Sequence, residues 1–273
     1  MRTAFVALVG LAIVGASSGC TLSTVTNPDG SVTVTGKSKT RFVSDQKPVR
    51  EIAFTNQTIE VLNDGVNPGS GVGIVVTGSP GATKVTATSS IVAWADGAET
   101  ENAKTAQKEV VDSFTVTEAG GKITVRCGHA SKDYGTASRA GTGCEGLTVT
   151  VPAGTAAAPV SLVVKNGNSD IQVSGITGSV TVEAQGAGDA EVSVTPAQGS
   201  VISVSAEFDA LLRLPANFAA DVVTLAADEA KDIDTSAFPE VKSGLGYGAP
   251  GTGAKSITVR STGLIGTAKI VRQ

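Results

Sequence analysis

Few residues in this chain could do chemistry, and most of them lie in one polar stretch. Cys127 and Cys144 flank GHASKDYGTASRAGTG, which has no hydrophobic periodicity and carries His129, the only histidine, together with Lys132, Asp133, Tyr134 and Arg139. Two thiols and one imidazole lack a fourth ligand and CxxC spacing, so no zinc site is expected. These five polar residues instead make the stretch a candidate recognition loop, against the default of a solvated insertion. A lone histidine leaves little scope for a Ser-His-Asp arrangement, and the chain has no GxSxG, HExxH or GxxxxGK[ST]. No catalytic residue and no cofactor follow.

Two further motifs read as turns. Gly69-Ser70-Gly71-Val72-Gly73 precedes a strand instead of joining a strand to a helix. Gly186-Ala187-Gly188-Asp189 is similar to calcium-binding Gly/Asp repeats, but it occurs once, and Asn168, Asp170 and Asp189 are read as turn residues. The acidic run from Asp228 to Asp234 could donate oxygens to calcium, with a solvated loop as the simpler reading.

The N-terminus sets the compartment. Arg2, the apolar run from Ala4 to Val14 and the small residues up to Gly19 have the order of a secretory signal, and the run is short for a membrane-spanning helix. Ser18 and Gly19 before Cys20 resemble the bacterial lipoprotein signal, although Ser17 stands where that signal prefers Leu. The resemblance implies a signal peptide over residues 1–19 and a Cys20 carrying palmitate-type acyl chains. The alternative is a secreted protein cut nearby. Each buried acyl CH₂ contributes about 0.8 kcal/mol, so several chains anchor a protein durably. Thr21 after the cysteine, in place of Asp, points by analogy to the outer membrane. With Cys20 so committed, Cys127 and Cys144 are left as a pair in an exported protein, and a disulfide between them is expected.

The remaining residues are built to position such a loop. From Val160 to Pro215 short strands alternate with short turns: Val160, Ile171, Val180, Ala190, Ile202 and Leu212 open successive strands in steps of 11, 9, 10, 12 and 10 residues. Val160, Leu162 and Val164 alternate with Ser161 and Lys165, so each strand buries one face. With 33 Gly and only seven Phe, two Tyr and one Trp, the core must be Val, Ile, Leu and Ala in thin layers. The expected fold is all-β, a β-solenoid-like stack of short strands, with an antiparallel β-sandwich as the alternative because hairpins also fit ten-residue spacing. Ala98 to Asp112 is the one helix candidate, with Ala103, Ala106, Val110 and Val111 near one face, and it is expected to cap an open edge. A hairpin is expected around Asn27-Pro28-Asp29-Gly30, and the two C-terminal strands are expected to complete the end of the stack.

The rungs VSGITGSVTVEAQG, the stretch ending ALLRLPANF and the terminal KSITVRSTGLIGTAKIV resemble a bacterial family of adhesin-like β-repeat domains of uncharacterised function, over about Val110 to Gln273. The resemblance implies a β-solenoid and an adhesive role inferred from shape, and it carries over no functional residue. The chain then divides into the signal, a lipidated segment and hairpin over residues 20–48, and the adhesin-like domain over residues 49–273.

Net charge is −4, and −5 without Arg2 (20 basic minus 25 acidic), with no Lys/Arg stripe, so nucleic acid is not an expected partner. The expected function is a non-catalytic cell-envelope lipoprotein, structural or adhesive, held to the membrane by its lipid and meeting a glycan or envelope protein. The alternatives are a polysaccharide hydrolase or lyase on a β-helix scaffold, which needs converging carboxylates, and a periplasmic sensor or assembly accessory.

Overall fold

The computed structural model describes residues 20–26, 32–64, 72–167 and 169–273, and of residues 20–38 and 72 the backbone alone. The signal over residues 1–19, the Asn27 to Gly30 turn, Gly69 to Gly71 and Asn168 lie outside the described residues. The backbone opens on a hairpin of β1 (Cys20–Thr26) and β2 (Val32–Ser38), antiparallel from Cys20↔Ser38 to Thr26↔Val32. There follow β3 (Thr40–Val43), β4 (Val49–Ala53), β5 (Thr58–Asn63), β6 (Val72–Ser79), β7 (Lys84–Ala95), the helix α1 (Thr100–Ser113), β8 (Thr115–Ala119), β9 (Lys122–Cys127) and β10 (Thr142–Pro152). The repeat supplies β11 (Val160–Asn166), β12 (Asp170–Ala184), β13 (Ala190–Thr195), β14 (Val201–Ala206) and β15 (Ala210–Leu214). The chain closes with β16 (Ala220–Ala226), β17 (Ile233–Asp234), β18 (Leu245–Tyr247), β19 (Ser256–Ser261) and β20 (Ala268–Arg272).

The fold is all-β. Two sheets face each other across one interior, a sandwich-like arrangement that curls over through β12. One sheet runs β8-β9-β5-β11-β12-β14-β19-β16-β18, and the other runs β7-β10-β6-β12-β13-β15-β20-β17 with β3 and β4 on β7. Pairing through the repeat is parallel, β11 with β12, β12 with β13 and β14, and β13 with β15, so a purely antiparallel sandwich is excluded. Parallel register stacks equivalent side chains about 4.8 Å apart. Leu162, Val180, Ile202 and Ile257 share one row, and Ile171, Ala190, Ala210 and Ala268 another. All are buried, in one continuous core.

Two anticipated strands, those opened by Ile171 and Val180, are a single β12 that serves both sheets: residues 171–177 pair with β13 and residues 178–184 with β11. The switch is made at Gly175 (φ 70°) and Gly178 (φ 140°), where L side chains are disfavoured. Outward charges are engaged across layers: Lys165–Glu183 at 2.9 Å, Lys122–Glu60 at 2.6 Å and Arg213–Glu191 at 2.8 Å.

Layer order departs from chain order at both ends. β5–β6 lies between β9–β10 and β11–β12, and β19–β20 lies between β14–β15 and β16–β17. The expectation that the last two strands end the stack is therefore corrected, because β16–β17 is the outer layer. Residues 216–239, beyond the regular repeat, supply that layer and its cover, with Phe238 fully buried and Phe218 stacked on Tyr247 at a 4.5 Å centroid separation. At the other end α1 packs on β7 and β10, burying Ala103, Ala106, Gln107 and Val110. Gln107 Nε2 donates to the carbonyls of Phe42 (2.8 Å) and Ile91 (3.4 Å). The helix is the cap that was expected.

Asp234, in β17, provides a test of the outer layer. The Lys269 ammonium on β20 (2.7 Å) and then the Ser236 amide and hydroxyl hold its carboxyl at about 2, below the ordinary 3.8. Because the folded-state value is depressed, the stabilisation is complete above about pH 4 and is lost as pH falls through about 2. Asp234→Asn should be less stable than the parent at pH 6, and urea titrations should converge between pH 4 and 2. A gap that persists at pH 2 would contradict this.

Candidate binding site at the stapled loop

The stretch between β9 and β10 is not a free insertion. Cys127 and Cys144 form a disulfide with Cα atoms 6.1 Å apart, and both cysteines are buried. Inside the loop Tyr134 and Ala137 exchange backbone hydrogen bonds of 2.9 Å, and a 3₁₀ turn at Arg139–Gly141 is capped by Ser138, whose Oγ accepts from the Gly141 amide (3.1 Å). Ala130 and Ala137 are buried in the common core.

α1 and the N-cap residue before it hold the loop down through two carboxylates. Glu109 accepts from the Ser131 amide (2.6 Å) and the Tyr134 hydroxyl (2.6 Å), while Glu99 accepts from the Thr136 amide (2.8 Å) and Asn102 Nδ2 (2.6 Å). From the other side Lys39 Nζ donates to the Thr136 carbonyl (2.8 Å), and the Asp96 amide donates to Thr136 Oγ1 (2.8 Å). The donors lower both carboxyls, chiefly Tyr134 for Glu109 and the Thr136 amide for Glu99. In return the Glu109 acceptor raises the Tyr134 phenol. Glu109→Ala should therefore bring the Tyr134 phenol back toward the usual value of about 10 in a spectrophotometric titration, with Tyr134→Phe identifying its transition. An unmoved transition would show that Glu109 does not hold the loop.

Of the five residues singled out by type, three converge. His129, Asp133 and Arg139, with Ser138 and Ala140, line an open cleft of about 500 Å³. The Arg139 amide donates to Asp133 Oδ1 (2.5 Å) and its Nε to the Ala130 carbonyl (3.2 Å). His129 Nδ1 is buried with no partner among the described residues. Tyr134 is instead occupied by Glu109, and the Lys132 ammonium lies over the Tyr134 ring, 5.2 Å from its centroid. Composition gave no reason to select Ser138 or the helix carboxylates. The ten-residue separation of Glu99 and Glu109, close to three helical turns, was their one available signal.

Several of the other polar residues have structural roles. Asp170 Oδ1 accepts from the Asp189 amide (2.9 Å), Asp189 Oδ1 from the Asp209 amide (2.9 Å), and Asp209 Oδ1 from the Thr267 amide (2.8 Å), so the carboxylates tie successive turns together. In the acidic run Glu229 pairs with Lys231 (3.0 Å) and Asp234 with Lys269. Among the described residues no three His, Cys, Asp or Glu side chains are grouped to hold a metal ion, and no helix is long and apolar enough to cross a membrane.

No protein-family model matches the chain, and no curated protein does. Among solved structures it is similar to the crystal structure of a "putative cell adhesion protein" from Clostridium sporogenes, with 11% identity and a TM-score of 0.45 over 84% of this chain and 100% of that one.

Proposed function

We propose that this chain is a non-catalytic cell-envelope protein, lipid-anchored at Cys20 in the outer membrane, whose stack displays a binding surface for a glycan or an envelope protein. The observation that carries the reading is an arginine anchored at its base, with its outer nitrogens free among the described residues, in a cleft of the loop closed by a disulfide. Several charged side chains along the sheets pair across layers, as in Lys165–Glu183 and Arg213–Glu191, and the turn aspartates are bonded to backbone amides, although Arg260 on β19 has no partner among the described residues. The cleft of the stapled loop keeps the Arg139 Nη groups and Asp133 Oδ2 without partners among the described residues.

Topology adds a second support. Among the described residues, the crossings from the β9-containing sheet to the β10-containing sheet lie along one edge of the stack, which therefore carries the stapled loop, the aspartate turns and the turn bearing Leu264 and Ile265, each 81% exposed. Near the opposite edge the backbone is tightly packed at Gly78, Gly154 and Gly175, where a Cβ would meet a neighbouring carbonyl oxygen. A row of layers that aligns the stapled loop with these turns suits display.

The test is a glycan screen and an envelope-protein pull-down with residues 21–273, beside a variant in which residues 131–138 are replaced by a short Gly/Ser linker. Binding that falls to background in the variant supports the reading. Silence in both screens, or a bound saccharide recovered cleaved, overturns it. Intact mass from native membranes reads the anchor: a diacyl or triacyl increment on Cys20 is expected, and an unmodified start at another residue removes it.

A further inference from the structure

We propose that the cleft of His129, Asp133, Ser138 and Arg139 binds a uronic acid residue within a longer saccharide, an inference that rests on the binding-surface reading above. Arg139 is held at its base, by Asp133 Oδ1 on its backbone amide (2.5 Å) and by the Ala130 carbonyl on Nε (3.2 Å). Its two Nη groups make no bond among the described residues, and this planar fork matches a carboxylate through two parallel N–H···O bonds. Asp133 spends Oδ1 on Arg139, so Oδ2 remains an acceptor that asks for a hydroxyl donor. Ser138 Oγ already accepts from the Gly141 amide (3.1 Å), which leaves its own proton to donate. His129 contributes its ring to the wall, with Nδ1 buried.

A ligand satisfying this set must carry one carboxylate and, a few ångströms away, hydroxyls that both donate and accept. A sugar acid does so. A neutral sugar leaves the guanidinium fork unpaired, a sulfate or phosphodiester brings negative charge against Asp133 with no proton for it, and inorganic phosphate, in large part dianionic at neutral pH, sets a second negative charge there. An amino acid could pair its ammonium with Asp133, but a cleft of about 500 Å³ open to solvent accommodates one residue of a passing chain better than it encloses a small zwitterion. The anchoring also matters, because a fork fixed at its base loses little freedom on binding. Neighbouring cations do not compete: Lys132 lies over Tyr134, and in the groove between β3 and α1 Lys104 and Lys108 are paired with Glu101 (3.1 Å) and Asp112 (2.5 Å).

The experiment titrates the full-length protein in detergent with trigalacturonate, galactotriose, inorganic phosphate and glycylglycine, by calorimetry and by the imidazole NMR signal of the only histidine. Trigalacturonate should bind and shift the His129 signal, while the other three should do neither. Arg139→Gln should weaken trigalacturonate binding about tenfold or more with an unchanged melting temperature, and Arg139→Lys should fall between. Equal binding of galactotriose, displacement by phosphate or glycylglycine, or acidic-sugar binding that leaves His129 unmoved and survives Arg139→Gln would overturn the assignment. If the glycan screen finds another ligand while trigalacturonate is silent, the cleft assignment fails alone. If the screen and the pull-down are silent as well, the binding-surface reading fails with it.

Discussion

Gly178→Val will destabilise the stack by about 3–5 kcal/mol, the combined cost of a strained backbone and an overfilled contact. At φ 140° residue 178 sits where a β-branched side chain is poorly tolerated, and a Cβ there would run into the carbonyl oxygen of Val160 and lie 2.7 Å from the Val160 amide nitrogen. Val160 cannot move aside, because it pairs with residue 178 in the ladder joining β11 to β12 and its side chain is buried in the core. Gly199→Ala is the matched control. Its φ is 74° but a Cβ meets nothing within 4 Å, so only the backbone term remains, about 1–2 kcal/mol. Urea midpoints that coincide for the two variants would show that the crossing of β12 between sheets is not the tight point it is taken to be.

The second large effect belongs to the disulfide. Replacing Cys127 and Cys144 together by Ser releases a loop with a sequence separation of 17, worth about 3 kcal/mol in the chain-entropy account, and should lower the melting temperature by about 6–12 °C. The loss should be local in origin. Exchange of the Ser131 and Thr136 amides, held by Glu109 and Glu99, should accelerate more than that of Val182 or Val204 in the middle of the stack. A melting temperature within 1–2 °C of the parent would mean that the helix carboxylates alone hold the loop, and uniform acceleration would mean that the staple supports the entire core.

The ten-residue period was enough to place the alternating segments, although it divided β12 in two, because alternation of Val, Leu and Ile with Ser, Thr and Lys is a local property. Direction of pairing was not. Parallel and antiparallel stacks make the same demand on alternation, and only the φ values at Gly175 and Gly178 distinguish a strand that crosses between sheets from one that turns back. Layer order was hidden for a similar reason: SITVRS in β19 has the pattern of any other layer, and nothing in it specifies neighbours at Val201 and Val223. In the loop, residue type pointed to His129, Asp133 and Arg139. The same reasoning also selected Tyr134, whose hydroxyl is taken by a carboxylate 25 positions earlier in the chain.

The slot filled by β19–β20 has a consequence for how the molecule is made. Ribosomes and export channels deliver a chain from its first residue to its last, yet here the penultimate layer is built from the final segment. Until residues 256–272 arrive, Ile202 and Val223 have no Ile257 between them, and Leu212 has no Ile270. Vectorial growth from front to back therefore cannot finish the job. Completion waits for β20 to join β15 and β17 in one compartment, and a product that stops before residue 268 is left with an open gap between those two strands.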